Sequence, residues 1–309
     1  MKSNTTFAML PVLIIVAACG SRAPEATGSH DLQVVATTNI VADLVRTVGG
    51  PRVEVEALMG PGIDPHLYKA SAGDVRRMSS AQAIFYSGLH LEGKMSEVLG
   101  RMDERGTRTV AVAECVPREN LIYSKDFSGV YDPHVWFDIA LWSLTTRCVA
   151  ETLAEFDPQN EDDYRARAEA TIEELGALDA WVRERIEVLA PEQRILVTAH
   201  DAFGYFGRAY GFEVRGLLGV STASEAGTSD VQELAEFITE RRIPAIFVET
   251  SVPPRYVQAL QEAVRARGFA VEIGGSLYSD SLGSPNTPEG NYEGTVRANV
   301  ETIVTSLGG

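Results

Sequence analysis

Short β-branched runs alternate with longer stretches of helical periodicity, and this rhythm organises most of the chain. Residues 32–38 predict a buried strand, and Asn39 stands where it would cap a helix running to Val48, stopped by Gly49-Gly50. Residues 53–58 alternate apolar with charged side chains and predict a second strand; 83–87 and 108–112 predict two more. Ser71 with Asp74 forms the pattern of a capping box, which places a short helix between the second and third strands. A polar loop over 115–129 then leads into an amphipathic helix at 139–156.

The longest helical signal covers 159–189. Its apolar residues recur at Ile172, Leu175, Leu178, Val182, Ile186 and Leu189, between Pro158 and Pro191. At ~1.5 Å per residue it is a rod of roughly 45 Å, longer than a small domain is wide. A short, mid-chain apolar stripe favours a strut between two lobes over a coiled-coil partner helix. The alternation then restarts. Strands are predicted at 194–198, 213–217, 245–249 and 270–273. Helices are predicted at 203–210, from a Ser229/Gln232 cap to Arg241, from Pro253-Pro254 to near Gly268, and at 291–307. Strands alternating with helices in both halves predict an α/β fold of two lobes, each a mostly parallel sheet flanked by helices, joined by one long rigid helix. The expected division is an N-terminal lobe at 32–158, a connecting helix at 159–190 and a C-terminal lobe at 191–309.

Residues 1–19 read differently. Lys2 precedes an apolar run at 7–18 that is too short to span a bilayer, and Val16-Ala17-Ala18-Cys19 ends it. The small-small-Cys ending resembles a bacterial lipobox, in which Cys19 would be acylated and become the mature N-terminus. Residues 20–31 are small and polar and suit a flexible tether, which makes His30 an exposed bystander. The expected location is therefore the cell envelope outside the cytoplasm, with the membrane reached through the lipid on Cys19.

Composition narrows the classes further. A 309-residue chain exceeds the size of a single core, in keeping with two lobes. Lys+Arg of 27 against Asp+Glu of 43 gives a net charge of −16, which argues against nucleic acid as a partner. Cys115 and Cys148 would meet an oxidising compartment, which permits a disulfide but leaves buried free thiols equally open.

The candidate chemistry lies in loops. Of five histidines, two follow an Asp-Pro pair, in Asp64-Pro65-His66 and Asp132-Pro133-His134. Proline fixes its own φ and holds the preceding residue extended, so each imidazole is presented from a stiff turn. His200 directly follows a predicted strand, as does Glu249, and Asp280 comes shortly after the last one. In doubly wound sheets ligands bind beyond the carboxyl ends of the strands. Three imidazoles with one carboxylate make a plausible shell for a first-row divalent metal. His90, between two leucines with no turn to aim it, reads as a surface or structural residue. Asp64, Asp132, Asp201 and Glu249 are candidates to accept the second N–H of a metal-bound imidazole.

Asp132-Pro133-His134-Val135-Trp136, Thr198-Ala199-His200-Asp201-Ala202-Phe203 and Tyr278-Ser279-Asp280-Ser281-Leu282-Gly283 resemble the TroA-like metal receptors of bacterial ABC importers. The similarity runs over nearly all of residues 32–309. It implies metal ligation by His66, His134, His200 and Asp280 in a cleft between the lobes. It also implies delivery of unaltered cargo to an ABC permease, no enzymatic activity, and a monomeric receptor. Zinc-specialised relatives often carry a His/Asp-rich loop before the second ligand, whereas 115–129 here has no histidine. Many manganese-specialised relatives have Glu where this chain has His200. Zinc is favoured by the nitrogen donors, with manganese and ferrous iron left open. Competing readings are a zinc-dependent hydrolase, although no His-Glu-x-x-His is present, and a surface adhesin.

Overall fold

The computed structural model describes residues 1–2, 32–124 and 130–308. Cys19, His30 and the proposed leader and tether at 3–31 lie outside the described residues.

The first lobe is a four-stranded parallel sheet in the order β2-β1-β3-β4, from β1 (Leu32–Ala36), β2 (Val53–Ala57), β3 (Ala83–Tyr86) and β4 (Arg108–Ala111). Strand alternation divides β1 between two cores. Leu32, Val34 and Ala36 face one cluster, while Val35 joins Met78, Ile84, Met95 and Leu99 on the opposite face. The helices of this lobe are α1 (Asn39–Gly49), α2 (Ala72–Ser80), α3 (Ser96–Glu104) and α4 (Ile139–Phe156). The capping box of α2 forms as the sequence predicts, between Ser71 and Asp74. The cap of α1 does not. Thr38 accepts the Val41 N–H, and Asn39 is the first helical residue.

Beyond α4, α5 (Glu161–Ile186) is a 26-residue helix of roughly 39 Å. It buries Tyr164, Ala168, Thr171, Leu175, Leu178, Val182 and Ile186, a 3–4 spacing that keeps one stripe inward over its whole length. That stripe packs on α1 and α4 of the first lobe and on α9 (Tyr292–Gly308) of the second. Arg147–Glu169 and Arg185–Glu301 ion pairs line its flanks, and being exposed they add little beyond register.

The second lobe is also parallel. It pairs β5 (Ile195–His200) with β6 (Glu213–Leu218) and β7 (Ala245–Glu249) with β8 (Glu272–Leu277), with β5 lying beside β7. Its remaining helices are α6 (Gly204–Tyr210), α7 (Thr228–Arg241) and α8 (Arg255–Ala266). Two sequence expectations fail here. Helix α7 begins at Thr228 with the Gly227 N–H donated to Asp230, rather than at a Ser229/Gln232 cap. Strand β8 runs to Leu277, because Gly274-Gly275 continues it instead of ending it. A Cβ on Gly274 would lie 2.7 Å from the Ser306 side chain, so glycine lets α9 approach the strand.

One apolar cluster runs from Leu32 through Val149, Leu175 and Phe203 to Leu307. The lobes therefore share a continuous core through α4, α5 and α9, which opposes wide rigid-body opening. Cys115 and Cys148 are disulfide-bonded with Cα atoms 6.3 Å apart, tying the segment after β4 to α4. Among the described residues no helix is long and apolar enough to cross a membrane.

Candidate metal centre

Both Asp-Pro-His segments fold the same way. Asp64 Oδ1 accepts the His66 backbone N–H at 2.9 Å, and Asp132 Oδ1 accepts that of His134 at 2.9 Å. Each is an Asx turn stiffened by its central proline, which is why the tripeptide aims an imidazole. His200 is the last residue of β5, and its N–H is donated to Glu249 Oε1, on the last residue of β7, at 2.8 Å. Asp280 follows the end of β8. The loop after β2, the segment after β4 and the ends of β5 and β8 thus bring all four side chains to one point beyond the strands' carboxyl ends.

The distances there have a simple meaning. His134 Nε2 and His200 Nε2 are 3.4 Å apart, and each is 3.4 Å from Asp280 Oδ1. One donor atom from each of His66, His134, His200 and Asp280 lies within 4.8 Å of all the others. Tetrahedral zinc with bonds of ~2.0–2.1 Å needs donors about 3.3–3.4 Å apart, so the inner triangle already has the edge length of such a shell. His66 is 4% exposed, Asp280 1%, and the other two imidazoles 0%. His66 Nε2 and Asp280 Oδ1 are buried without a hydrogen-bond partner. Buried polar atoms left unpaired are costly, and one cation among these four would satisfy both.

The shell behind the donors is built as well. His134 Nδ1 pairs with Asp132 Oδ1 at 2.7 Å and His200 Nδ1 with Glu249 Oε2 at 2.5 Å. Each carboxylate accepts a hydrogen bond from the ring's Nδ1–H, which fixes the tautomer that directs the Nε2 lone pair at the centre. Of the other two candidates, Asp64 holds backbone and hydroxyl donors, and Asp201 lines a separate cavity with Arg215 and Ser224. Ser251 Oγ donates to Asp280 Oδ2 at 3.2 Å, and Trp136 Nε1 to the Ser279 carbonyl at 3.0 Å. Ser251 was not legible in the sequence; its position two residues after β7, on the binding side of the sheet, was the one available signal.

Charge separates the three imidazoles. Burial pushes His66 down to about 3, with Asp280 opposing it only in part. Burial also works against a charged His134, but Asp132 and then Asp280 outweigh it and raise it to about 9. His200 is held well above its ordinary value because Glu249 and Asp280 overcome the same burial penalty. Burial would raise Asp280, yet the adjacent His200 and His134 keep it well below the usual carboxylate range. Carboxylates crowded against two of the three rings thus make the centre a place that favours positive charge.

His90 is exposed and stands apart, at a left-handed φ of 67°. A profile of the family described as "Zinc-uptake complex component A periplasmic" matches residues 34–306. The chain belongs to this family. Its members are solute-binding receptors that work with ABC permeases, not enzymes, so the hydrolase reading falls. Zinc-binding protein TroA of Treponema pallidum is 49% identical over 291 residues, covering 94% of this chain and 92% of its own length. The manganese-binding lipoprotein MntA of Bacillus subtilis is 44% identical over 307 residues, covering 99% of this chain and all of its own. The solved structure of the T. pallidum periplasmic zinc-binding protein matches this receptor with a TM-score of 0.86 at 49% identity, covering 90% of this chain and 99% of that one.

Proposed function

We propose that this receptor captures a divalent first-row metal between its lobes through His66, His134, His200 and Asp280 and passes it unchanged to an ABC permease. The observation that carries the reading is the convergence of four buried donors from both lobes with His66 Nε2 and Asp280 Oδ1 unpaired. The working units are the N-terminal lobe at 32–158, the connecting helix at 159–190 and the C-terminal lobe at 191–309. The receptor acts as a monomer.

Zinc is the preferred cargo. Three nitrogen donors suit zinc, and manganese stands at the weak end of the Irving–Williams order with ferrous iron next to it. A shared core limits how far the lobes can close around a particular ion size, so ligand chemistry rather than ion radius sets the preference. Zinc should bind at least about tenfold more tightly than manganese, a difference of about 1.4 kcal/mol. A manganese reading is supported by the name of the Bacillus relative, and the same measurement decides between them. Competition calorimetry at neutral pH checks the ratio; equal affinities or a manganese preference would make geometry the selector.

The receptor is held at the outer face of a membrane by acylation of Cys19. The support is the Val16-Ala17-Ala18-Cys19 ending of a short apolar run. Cys19→Ser should move the protein from membranes to the soluble fraction. Continued pelleting with incorporation of labelled lipid would refute the anchor.

A further inference from the structure

The three imidazoles are not held alike. His134 and His200 are each gripped at the ring, by Asp132 and Glu249. For His66 the neighbouring carboxylate grips the backbone: Asp64 Oδ1 accepts the His66 N–H. The other oxygen, Asp64 Oδ2, accepts the hydroxyl of Thr222 at 2.5 Å, from the opposite lobe. Thr222 is half-buried in the loop between β6 and α7, where Gly219, Ser221, Ser224 and Gly227 leave the backbone little side-chain bulk. Behind that loop is a cavity of about 560 Å³ lined by Gly219, Ser221, Ser224, Leu234 and Phe237.

The Asp280 side of the centre is fastened far more firmly. Trp136 Nε1 bonds the Ser279 carbonyl, the Gly62 N–H bonds Ser281 Oγ, and the Asn39 amide bonds both the N–H and the carbonyl of Leu282. Those contacts cross the lobes above a continuous core. With all four donors buried, an ion cannot reach the centre unless some element moves. The Thr222 loop is the element with small residues in its backbone, open volume behind it, and a hydroxyl contact to the segment that carries His66.

We infer that Thr222 is a positioning residue for metal capture: through Asp64 it holds His66 in the binding pose, and breaking this contact is the step that releases the ion. The inference rests on the receptor reading above. It makes His66 the last donor to engage and the first to leave, while His134, His200 and Asp280 stay in place. Differences of this kind act mainly on dissociation.

The test is stopped-flow zinc dissociation into excess chelator, with association followed by Trp136 emission. Thr222→Val keeps the shape and removes the hydroxyl. It should raise the off-rate about tenfold and leave the on-rate within about twofold, with an unchanged melting temperature for the metal-free protein. Thr222→Ser restores the hydroxyl and should return the off-rate to within about threefold of the parent. In an Asp64→Ala background the Thr222→Val change should add less than about twofold, because the two act through one contact. A parent-like off-rate for Thr222→Val, or the same tenfold rise with Asp64 absent, overturns the inference alone. A parent protein that takes up neither zinc nor manganese overturns the receptor reading and this inference with it.

Discussion

Asp280→Ala is expected to weaken zinc binding by about three orders of magnitude. Asp280 supplies one of four donors and the one negative charge placed directly among the three imidazoles. Its carboxylate is fully buried, 3.4 Å from both His134 Nε2 and His200 Nε2. Removing one partner from a buried charged set costs about 3–5 kcal/mol, which corresponds to roughly a hundredfold to several thousandfold in affinity. Asp280→Asn keeps the shape and a neutral carbonyl donor, so its loss should be smaller. Tryptophan emission reports both variants, because the Trp136 ring lies 5.2 Å from that of His134. A loss of less than tenfold in Asp280→Ala would place this residue beside the centre rather than in it.

Acid is expected to weaken zinc binding strongly as well. In the metal-free receptor Asp132 and Asp280 raise His134 to about 9, so that it carries a proton at pH 7, and Glu249 and Asp280 raise His200 in the same direction. His66, pushed down to about 3, carries none, and Asp280 stays ionised. Zinc must therefore expel at least the His134 proton, and each proton expelled makes the apparent association constant change about tenfold per pH unit. The sign follows from the raised values: affinity climbs with pH and flattens only above about 9, where His134 gives up its proton unaided. Between pH 7 and pH 5 the affinity should fall at least about a hundredfold. Calorimetry in buffers of different ionisation enthalpy counts the protons directly, with at least one per zinc expected near neutrality. Fewer than one proton per zinc would mean that the carboxylates Asp132 and Glu249 do not charge these rings.

From local sequence alone the three imidazoles look alike, each with a reference value of ~6.5. The inequality comes from burial and from which carboxylate touches which ring, and neither is written in local sequence. Other features were legible for physical reasons. Asp-Pro-His announces itself because an Asx turn with proline at its centre is a local device, complete within three residues. His200 and Glu249 could be placed because strand ends in a parallel sheet all face one side. Asn39 shows the opposite case. It looked like a helix cap, but Thr38 caps the helix, and the Asn39 amide reaches Leu282 at the far end of the chain. The last strand was expected at 270–273, and only the approach of Ser306 and Thr302 explains why it continues through Gly274-Gly275. Thr222 and Ser251 are lone hydroxyls whose partners arrive from distant segments, so no spacing marks them. The Cys115–Cys148 pairing likewise waited on the 6.3 Å separation of the two Cα atoms.

The central claim is that one metal ion is held by three imidazoles and one carboxylate drawn from both lobes. X-ray absorption at the zinc edge, on protein loaded with one equivalent, tests it most directly. The account predicts a single nitrogen/oxygen shell at ~2.0–2.1 Å with outer-shell scattering from three imidazoles, reduced to two in His134→Ala. A sulfur shell, a six-oxygen shell, or a spectrum unchanged by His134→Ala would contradict it.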